Sequence, residues 1–395
     1  MQANFKHEGR YPFLLELLRS DLQRELDSLR CFFAPYTTRV YMVGGSVRDL
    51  LRSLILGENV EVVDLDLEVY GIEPALFECL MERLGAKGVG KSFFVYKYRL
   101  HIDISLPRIE KKIGRGHRAF AVELAKEERE ASRRRDFCMN ALMLSIFDAT
   151  LLDFWGGIED IRQRRIRIID EEKFKEDSLR VLRGMQFSAR LGFRIEPHSC
   201  RVMRSIDLDD LSRDRIFWEF EKMFLAPFLH YGLFAMSVLA VDRKIFGFSL
   251  NRKLFFKAAL EMARGQRSFE EELYKFYFLY ILKSLLHKPL EPMLEALGAP
   301  NEYRKALRGQ KSIPARITWR FLAALATNYP IRRWLGNYKP RIKEAAKEIG
   351  VWEQKYMPVS PKELLAQGFE GAKLGAELRR RTLQIIRQRF EREDI

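Results

Sequence analysis

The chain is short of the residues that build covalent or metal-held scaffolds. Four cysteines (Cys31, Cys79, Cys138 and Cys200) are spread over 395 residues with no Cys-x-x-Cys pair, and the six histidines form no ligand-spaced cluster. A disulfide framework and a structural zinc site are thereby excluded, and a reducing cytoplasm is the expected compartment. No apolar run approaches the ~18 residues of a membrane span. The N-terminus has no basic stretch followed by an apolar core and a small-residue cleavage site, so neither a signal peptide nor a membrane partner is expected. Low-complexity linkers and internal repeats are also missing. Acidic residues are scarce only in one part. Residues 1–224 carry 38 basic and 37 acidic side chains, whereas residues 225–395 carry 31 and 17, so nearly all of the formal charge of +15 lies C-terminally. Such one-sidedness suits a polyanionic partner, nucleic acid first.

What is present is an ordinary globular composition, 47% hydrophobic and 31% charged, long enough for two or three domains. Leu14 to Phe33 repeats apolar residues at three and four, the pattern of an amphipathic helix. Arg39 to Val43 reads as a strand ended by Gly44 and Gly45. Glu61 to Tyr70 alternates acidic and apolar residues, which in a strand puts Asp64, Asp66 and Glu68 on one face, where they repel. Further strands are expected at Phe93 to Tyr98 and His101 to Leu106, followed by a charged, glycine-containing loop from Arg108 to Phe120. Beyond Ile169 the texture turns helical, first at Glu176 to Leu191 and then at Arg213 to Leu225, with proline-containing breaks dividing the remainder. An α/β part and a longer all-α part follow, with soft boundaries near 170 and 228.

Two constellations carry chemistry. Gly44, Gly45, Ser46 and Arg48 follow one strand; glycines let backbone approach a phosphate, and a helix starting there would offer free N–H groups and its positive end to the same anion. Asp64 and Asp66, two apart on the next strand, point the same way and suit a pair of hard divalent cations roughly 3.5–4 Å apart. Taken singly, a Gly-Gly is often a tight turn and an Asp-x-Asp a solvated strand face; their strand–turn–strand order favours the joint reading. Asp103 on the following strand is either a third carboxylate of such a site or a structural edge residue. His101 has no partner at metal-ligand spacing, so a satisfied or exposed histidine is expected.

The pairing of Gly-Gly-Ser-Val-Arg-Asp (44–49) with Asp-Leu-Asp-Leu-Glu (64–68) resembles the head of the class II tRNA nucleotidyltransferases and bacterial poly(A) polymerases, of the polymerase-β-like nucleotidyltransferase superfamily. Arg134-Arg135-Asp136-Phe137 with Asn140-Ala141 is similar to the family's second motif, Asp153 to Asp160 to its third, Glu176 to Phe193 to its fourth and Ser212 to Glu219 to its fifth. The resemblance implies an α/β head over 1–170, a helical neck over 171–228 and a helical basic body and tail over 229–395. It implies addition of CCA, or part of it, to the 3′ end of tRNA from CTP and ATP with Mg2+. Asp64 and Asp66 would hold metal. Gly44, Gly45, Ser46 and Arg48 would hold the triphosphate, Arg135 and Asp136 the ribose, and Asp177, Arg180 and Arg183 the nucleotide. No protein partner is implied.

The fourth motif also has a reading of its own. Asp177 and Arg180, three apart, share a face if they lie on a helix, with Arg183 next along it. A carboxylate accepts and a guanidinium only donates, so the two complement the amino donor and ring-nitrogen acceptor that cytosine and adenine present; uracil and guanine carry the reverse polarity. The same spacing is more often a simple surface ion pair. The stretch from Arg108 to Arg129 corresponds to a family loop that helps the switch from cytidine to adenosine; a loop of retained length favours full CCA addition, and a plain surface loop is the alternative. Gln186 stands where the family commonly has arginine, which weakens the expected grip on the triphosphate. No His-Asp dipeptide occurs C-terminally, so no phosphohydrolase domain is expected. Poly(A) polymerases share these motifs but usually carry Gly-basic-basic-Phe where this chain has Gly90-Lys91-Ser92-Phe93. CC-only or A-only addition, and an RNA-binding protein on an inactive head, are the remaining readings.

Overall fold

The computed structural model describes residues 5–89, 95–112, 120–250, 252–265 and 271–390. The chain divides into two compact units, Met1–Leu211 and Ser212–Ile395.

The first unit is built on an eight-stranded sheet in the order β1 (Glu8–Arg10), β10 (Thr150–Leu152), β9 (Met143–Ser145), β2 (Val40–Val43), β3 (Leu65–Val69), β6 (Ile102–Ser105), β5 (Val95–Tyr98) and β4 (Lys87–Gly88). All neighbours are antiparallel except β3 and β6. That parallel pair needs a crossover, supplied by α4 (Pro74–Arg83) and the β4–β5 hairpin. Between β1 and β2 come α1 (Phe13–Glu16) and α2 (Ser20–Phe33), where one continuous helix was expected; Arg19 is extended and splits them. On α2, Leu22, Leu26, Leu29 and Phe33 recur at four and three and are the buried residues. Between β2 and β3 lies α3 (Gly45–Leu56). After the sheet's edge strands come α5 (Glu128–Arg133), α6 (Gly157–Arg162), α7 (Glu171–Lys175), α8 (Leu179–Leu191) and α9 (Pro197–Ser205). Residues 171–211 thus pack in one unit with the head.

Two expectations are corrected. The strand read over Glu61 to Tyr70 is only β3, because β2 turns away at Gly44 and β6 begins at Ile102, leaving residues 61–64 without a partner ladder. The loop expected from Arg108 to Phe120 is in part a pair of strands, β7 (Arg108–Lys112) and β8 (Phe120–Leu124), antiparallel from Arg108↔Leu124 to Lys112↔Phe120. Residues 113–119 lie outside the described residues. A charged run lacks apolar alternation, yet main-chain pairing does not require it. A further two-stranded sheet pairs β11 (Arg165–Ile166) with β12 (Arg194–Ile195).

The second unit contains only helices among its described residues: α10 (Arg213–Phe224), α11 (Leu229–Val238), α12 (Val241–Phe246), α13 (Arg252–Gly265), α14 (Glu271–Tyr274), α15 (Tyr277–Leu285), α16 (Leu290–Leu297), α17 (Asn301–Arg308), α18 (Trp319–Ala326), α19 (Pro340–Glu348), α20 (Pro361–Ala366) and α21 (Gly371–Arg389). Thr318 caps α18 by accepting from Phe321 N at 3.1 Å. Fully buried Trp334 donates its indole N–H to the Lys311 carbonyl at 2.8 Å and packs with Leu322, Ile331 and Ile342. Truncating it to alanine should cost ~3–5 kcal/mol. Among the described residues, no helix is long and apolar enough to cross a membrane.

Candidate active site

Strand β2 stops at Val43 and α3 begins two residues later. Gly44 makes the turn with φ of +72°, a left-handed conformation that favours glycine; a Cβ there would stand 3.0 Å from the end of the Arg135 side chain. The turn sets the N-terminus of α3, with Gly45 and Ser46, on the wall of a cleft of about 710 Å³. Ser46 Oγ donates to the Val43 carbonyl at 3.2 Å. Arg48 is buried: Nε and Nη2 bind the Asp49 carboxylate at 2.9 and 2.8 Å, and Nη1 donates to Asn140 Oδ1 at 2.7 Å. Burial alone would raise the Asp49 pKa, but Arg48 and Arg52 outweigh it and hold the carboxyl below its usual range.

The carboxylates sort themselves by register. Asp66 on β3 lies beside Asp103 on β6, whose antiparallel partner on β5 is Lys97. Asp64 precedes the strand and is exposed, with its Oδ1 2.9 Å from His101 Nδ1; His101 is therefore a satisfied histidine. Glu68 is buried and separated from the others by its own partners: Arg135 Nη2 at 2.8 Å, Arg134 Nη2 at 3.2 Å and the Tyr70 hydroxyl at 2.8 Å. The repulsion expected from three carboxylates in a row is met by these two arginines. At Asp66 the protein packed around the carboxyl, and then the charges of Asp103, Glu68 and Asp64, raise the pKa, against a lowering by Arg135.

The opposite wall comes from residues 134–140 and α8. Buried Asp136 accepts from Phe137 N at 2.8 Å, Asn140 Nδ2 at 3.0 Å and Arg183 Nε at 2.6 Å. Burial opposes its ionisation, yet Arg183 and Asn140 keep its pKa lowered. Helix α8 starts at Leu179, so Asp177 is not on the helix face with Arg180 as expected; it precedes the Ser178 cap, and its Oδ1 accepts from Leu179 N at 3.2 Å. Arg180 donates to the carbonyls of Lys173 at 2.8 Å and Arg134 at 2.7 Å. Asp153 accepts from Gly157 N and Ile158 N at 2.7 and 3.0 Å, fixing the start of α6, whose Gly157 lies where a Cβ would meet the Cys138 carbonyl at 2.4 Å.

One cleft therefore gathers Gly44, Gly45, Ser46, Arg48, Asp64, Asp66, Arg135, Asp136, Asp177, Arg180 and Arg183. Of the candidate site residues from sequence, Asp103 is not on its lining, although it is the register neighbour of Asp66 in the sheet. Sequence reasoning gave no role to Asn140, Phe187 or Arg190, which also line it. The Phe187 ring has the guanidinium carbons of Arg48, Arg183 and Arg190 at 5.3, 5.3 and 5.9 Å from its centroid. The signal was the spacing 183, 187, 190, one face of a helix.

For a divalent cation the donor chemistry fits in part. Asp66 and Asp103 are neighbouring hard donors on adjacent strands. Among the described residues no three His, Cys, Asp or Glu side chains gather to hold a metal by themselves. Mg2+ in general is bound through one or two carboxylates together with substrate phosphates and water.

Residues 40–167 match the poly A polymerase head domain. This stretch, about a third of the chain, is therefore similar to the heads of poly A polymerases. It is 37% identical over 204 residues to a multifunctional CCA protein of Xylella fastidiosa (strain 9a5c), covering 48% of this chain and 46% of that one. The match to the Stenotrophomonas maltophilia (strain K279a) protein of the same name is 37% over 194 residues, 47% and 45% of the two chains. The chain spans about half the length of the curated relatives it matches. Among solved structures it is similar to the Thermotoga maritima CCA-adding enzyme complexed with tRNA-CCA, with a TM-score of 0.69, 20% identity and coverage of 98% and 97%. The Bacillus stearothermophilus CCA-adding enzyme in complex with CTP gives 0.61, 20%, and 95% of each. The fold is therefore a polymerase-β-like head followed by a mostly helical remainder.

Proposed function

We propose that the chain adds CCA to the 3′ end of tRNA from CTP and ATP without a template. The observation that carries this reading is one cleft in which the glycine turn and N-terminus of α3 face Asp64, Asp66, Asp136 and Arg180. In this reading the backbone N–H groups at Gly45 and Ser46, with Arg48, orient the triphosphate. Arg135 and Asp136 position the ribose, Arg183 steadies Asp136, and Asp177 with Arg180 reads the base edge. Asp64 and Asp66, supported by Asp103, hold Mg2+, which when bound supplies charge neutralisation at the phosphates and acidifies the attacking RNA hydroxyl. The head (1–170) performs transfer, the neck (171–228) selects the nucleotide, and the basic body and tail (229–395) grip tRNA. Four dispersed cysteines and a tRNA substrate support a cytoplasmic setting.

Poly(A) synthesis is the second reading, favoured by the same head. The test is incubation with Mg2+ and tRNA ending before or within CCA, supplying CTP, ATP or both, with products resolved at single-nucleotide length. Three added residues support the proposal. Arrest after two cytidines, addition of the last adenosine alone, or long adenosine tails would each replace it with the corresponding partial or poly(A) activity. Bound tRNA with no addition would leave an RNA-binding protein. Asp177→Ala should admit UTP and GTP; unchanged nucleotide choice would remove the base-reading role.

A further inference from the structure

The second unit holds a cleft of about 800 Å³ that none of this chemistry uses. Four segments meet around it: α13, the end of α15, residues 313–317, and the first turn of α19 with the two residues before it. Along α13, Leu254, Lys257 and Glu261 follow at three and four, so one helix face lines one side. The cleft has two characters. Its floor is buried and largely apolar, with Leu285, Tyr338 and Ile342, and Ile313 and Ile317 are half-buried beside them. Its rim is exposed and basic, with Lys257, Arg316, Lys339 and Arg341. The single carboxylate on the lining, Glu261, is buried and engaged: it accepts from the Tyr338 hydroxyl and from Arg264 Nη1 at 3.4 Å, and Lys339 Nζ stands 3.9 Å away. It does not cancel the rim. The nine-residue helix α19 opens here with Pro340 in its first turn and no side-chain cap, adding the positive end of its dipole.

A ligand suited to this cleft has a compact apolar body and anionic groups at its edge, and the volume is that of a site for one small ligand. A nucleoside flanked by phosphates has this form. The rim cations come from three separate parts of the chain: α13, the 313–317 segment and the start of α19. That spacing suits phosphates on both sides of a nucleoside, as in a chain passing over the cleft, better than the single cradle of backbone N–H groups that a free triphosphate takes. We infer that the cleft holds one unstacked nucleotide of the RNA substrate, its phosphodiesters on the basic rim and its base on the apolar floor that includes Tyr338. This rests on the reading of the chain as an RNA-modifying enzyme, and it gives that enzyme a grip outside the transferase cleft.

The test measures binding of a tRNA transcript lacking CCA over a salt series. The double variant Lys257→Glu with Arg341→Glu should bind about tenfold more weakly and flatten the log–log salt slope by roughly 1 to 2. The KM for CTP and ATP at saturating tRNA, and the melting temperature, should not move. Ile317→Trp, which fills the floor, should weaken binding without changing the slope. A benzophenone side chain at position 313 should cross-link to one region of the tRNA, and this readout stands even if either variant fails to fold. Unchanged affinity and slope in a chain that still adds nucleotides, or a cross-link that free ATP abolishes at concentrations where tRNA does not, would overturn the inference alone. A wild-type chain that neither binds tRNA nor adds nucleotides would sink the functional reading and this inference with it.

Discussion

The two units handle charge in opposite ways. Met1–Leu211 contains 35 basic and 34 acidic residues, while Ser212–Ile395 contains 34 and 20. In the first unit opposite charges are matched around the cleft: Arg48 with Asp49, Arg135 with Glu68, Arg183 with Asp136. In the second, basic side chains outnumber the carboxylates available to match them. A site that transfers a phosphoryl group needs charges held in place before substrate arrives, because preorganised groups do not have to reorient during reaction. A surface that holds a long polyanion needs net positive charge and less geometry. The first unit should therefore be vulnerable to single substitutions, the second to salt.

The largest expected effect lies in the first unit. Asp66→Asn should lower the rate of nucleotide addition by about 10³-fold or more, the scale of losing several kcal/mol of charge stabilisation at the phosphates. tRNA affinity in the same variant should stay within about twofold, since one neutralised carboxylate removes no phosphate contact. An equal loss of both would break the division of labour. Next comes salt: raising it from about 50 to about 200 mM should weaken tRNA binding by ~10³-fold, if six or more phosphates are contacted, while KM for CTP moves far less. A shallow slope would remove the second unit's charge as the source of grip.

These two tests also separate what could be read in the sequence from what could not. That residues 44–48 and 64–66 would meet was legible because they are short contiguous motifs, and the structure sets Gly44, Gly45, Ser46, Arg48, Asp64 and Asp66 on one cleft. The partnership of Asp64 with His101 was not, since it joins residues 37 apart across two strand ends. Phe187 and Arg190 were missed because their place depends on which face α8 turns to the cleft. The helix was expected three residues early, from Glu176, although Ser178, a residue type that commonly caps helices, precedes its start at Leu179, and the β7–β8 pair was read as loop because its ladder is made by main chain. The second cleft draws on four segments spread from 254 to 342, so no local pattern announces it.

A smaller effect would sharpen the account of matched charge. Asp136→Ala should destabilise the first unit by about 2–3 kcal/mol, the scale of a lost charge-assisted hydrogen bond with other groups left unpaired. The same carboxylate sets a pH dependence. Its folded-state pKa is lowered, so its contribution is complete above the unfolded value near ~3.9 and is lost as pH falls through the lower folded value. Denaturant titrations of wild type should therefore lose stability below about pH 4, and Asp136→Asn should flatten that decline. An unflattened curve would move the acid sensitivity elsewhere, with Asp49 the first candidate because Arg48 and Arg52 lower its pKa too.

The smallest expected effect belongs to the second unit, at a carboxylate paired on the surface of its last helix. Glu377 accepts from Arg380 at 2.6 Å and Arg381 at 2.8 Å on helix α21, and the hydrogen bonds from these two arginines bring its pKa down to about 2. Surface pairs of this kind contribute little to stability, so Glu377→Gln should leave thermal unfolding essentially unchanged. It would, however, release two guanidiniums from an anion that competes with phosphate. The variant should therefore bind tRNA more tightly, by less than about tenfold, with the gain shrinking as salt screens the charges. Weaker binding would mean that Glu377 holds the two arginines in the orientation RNA requires, and geometry would then matter in the second unit as it does in the first.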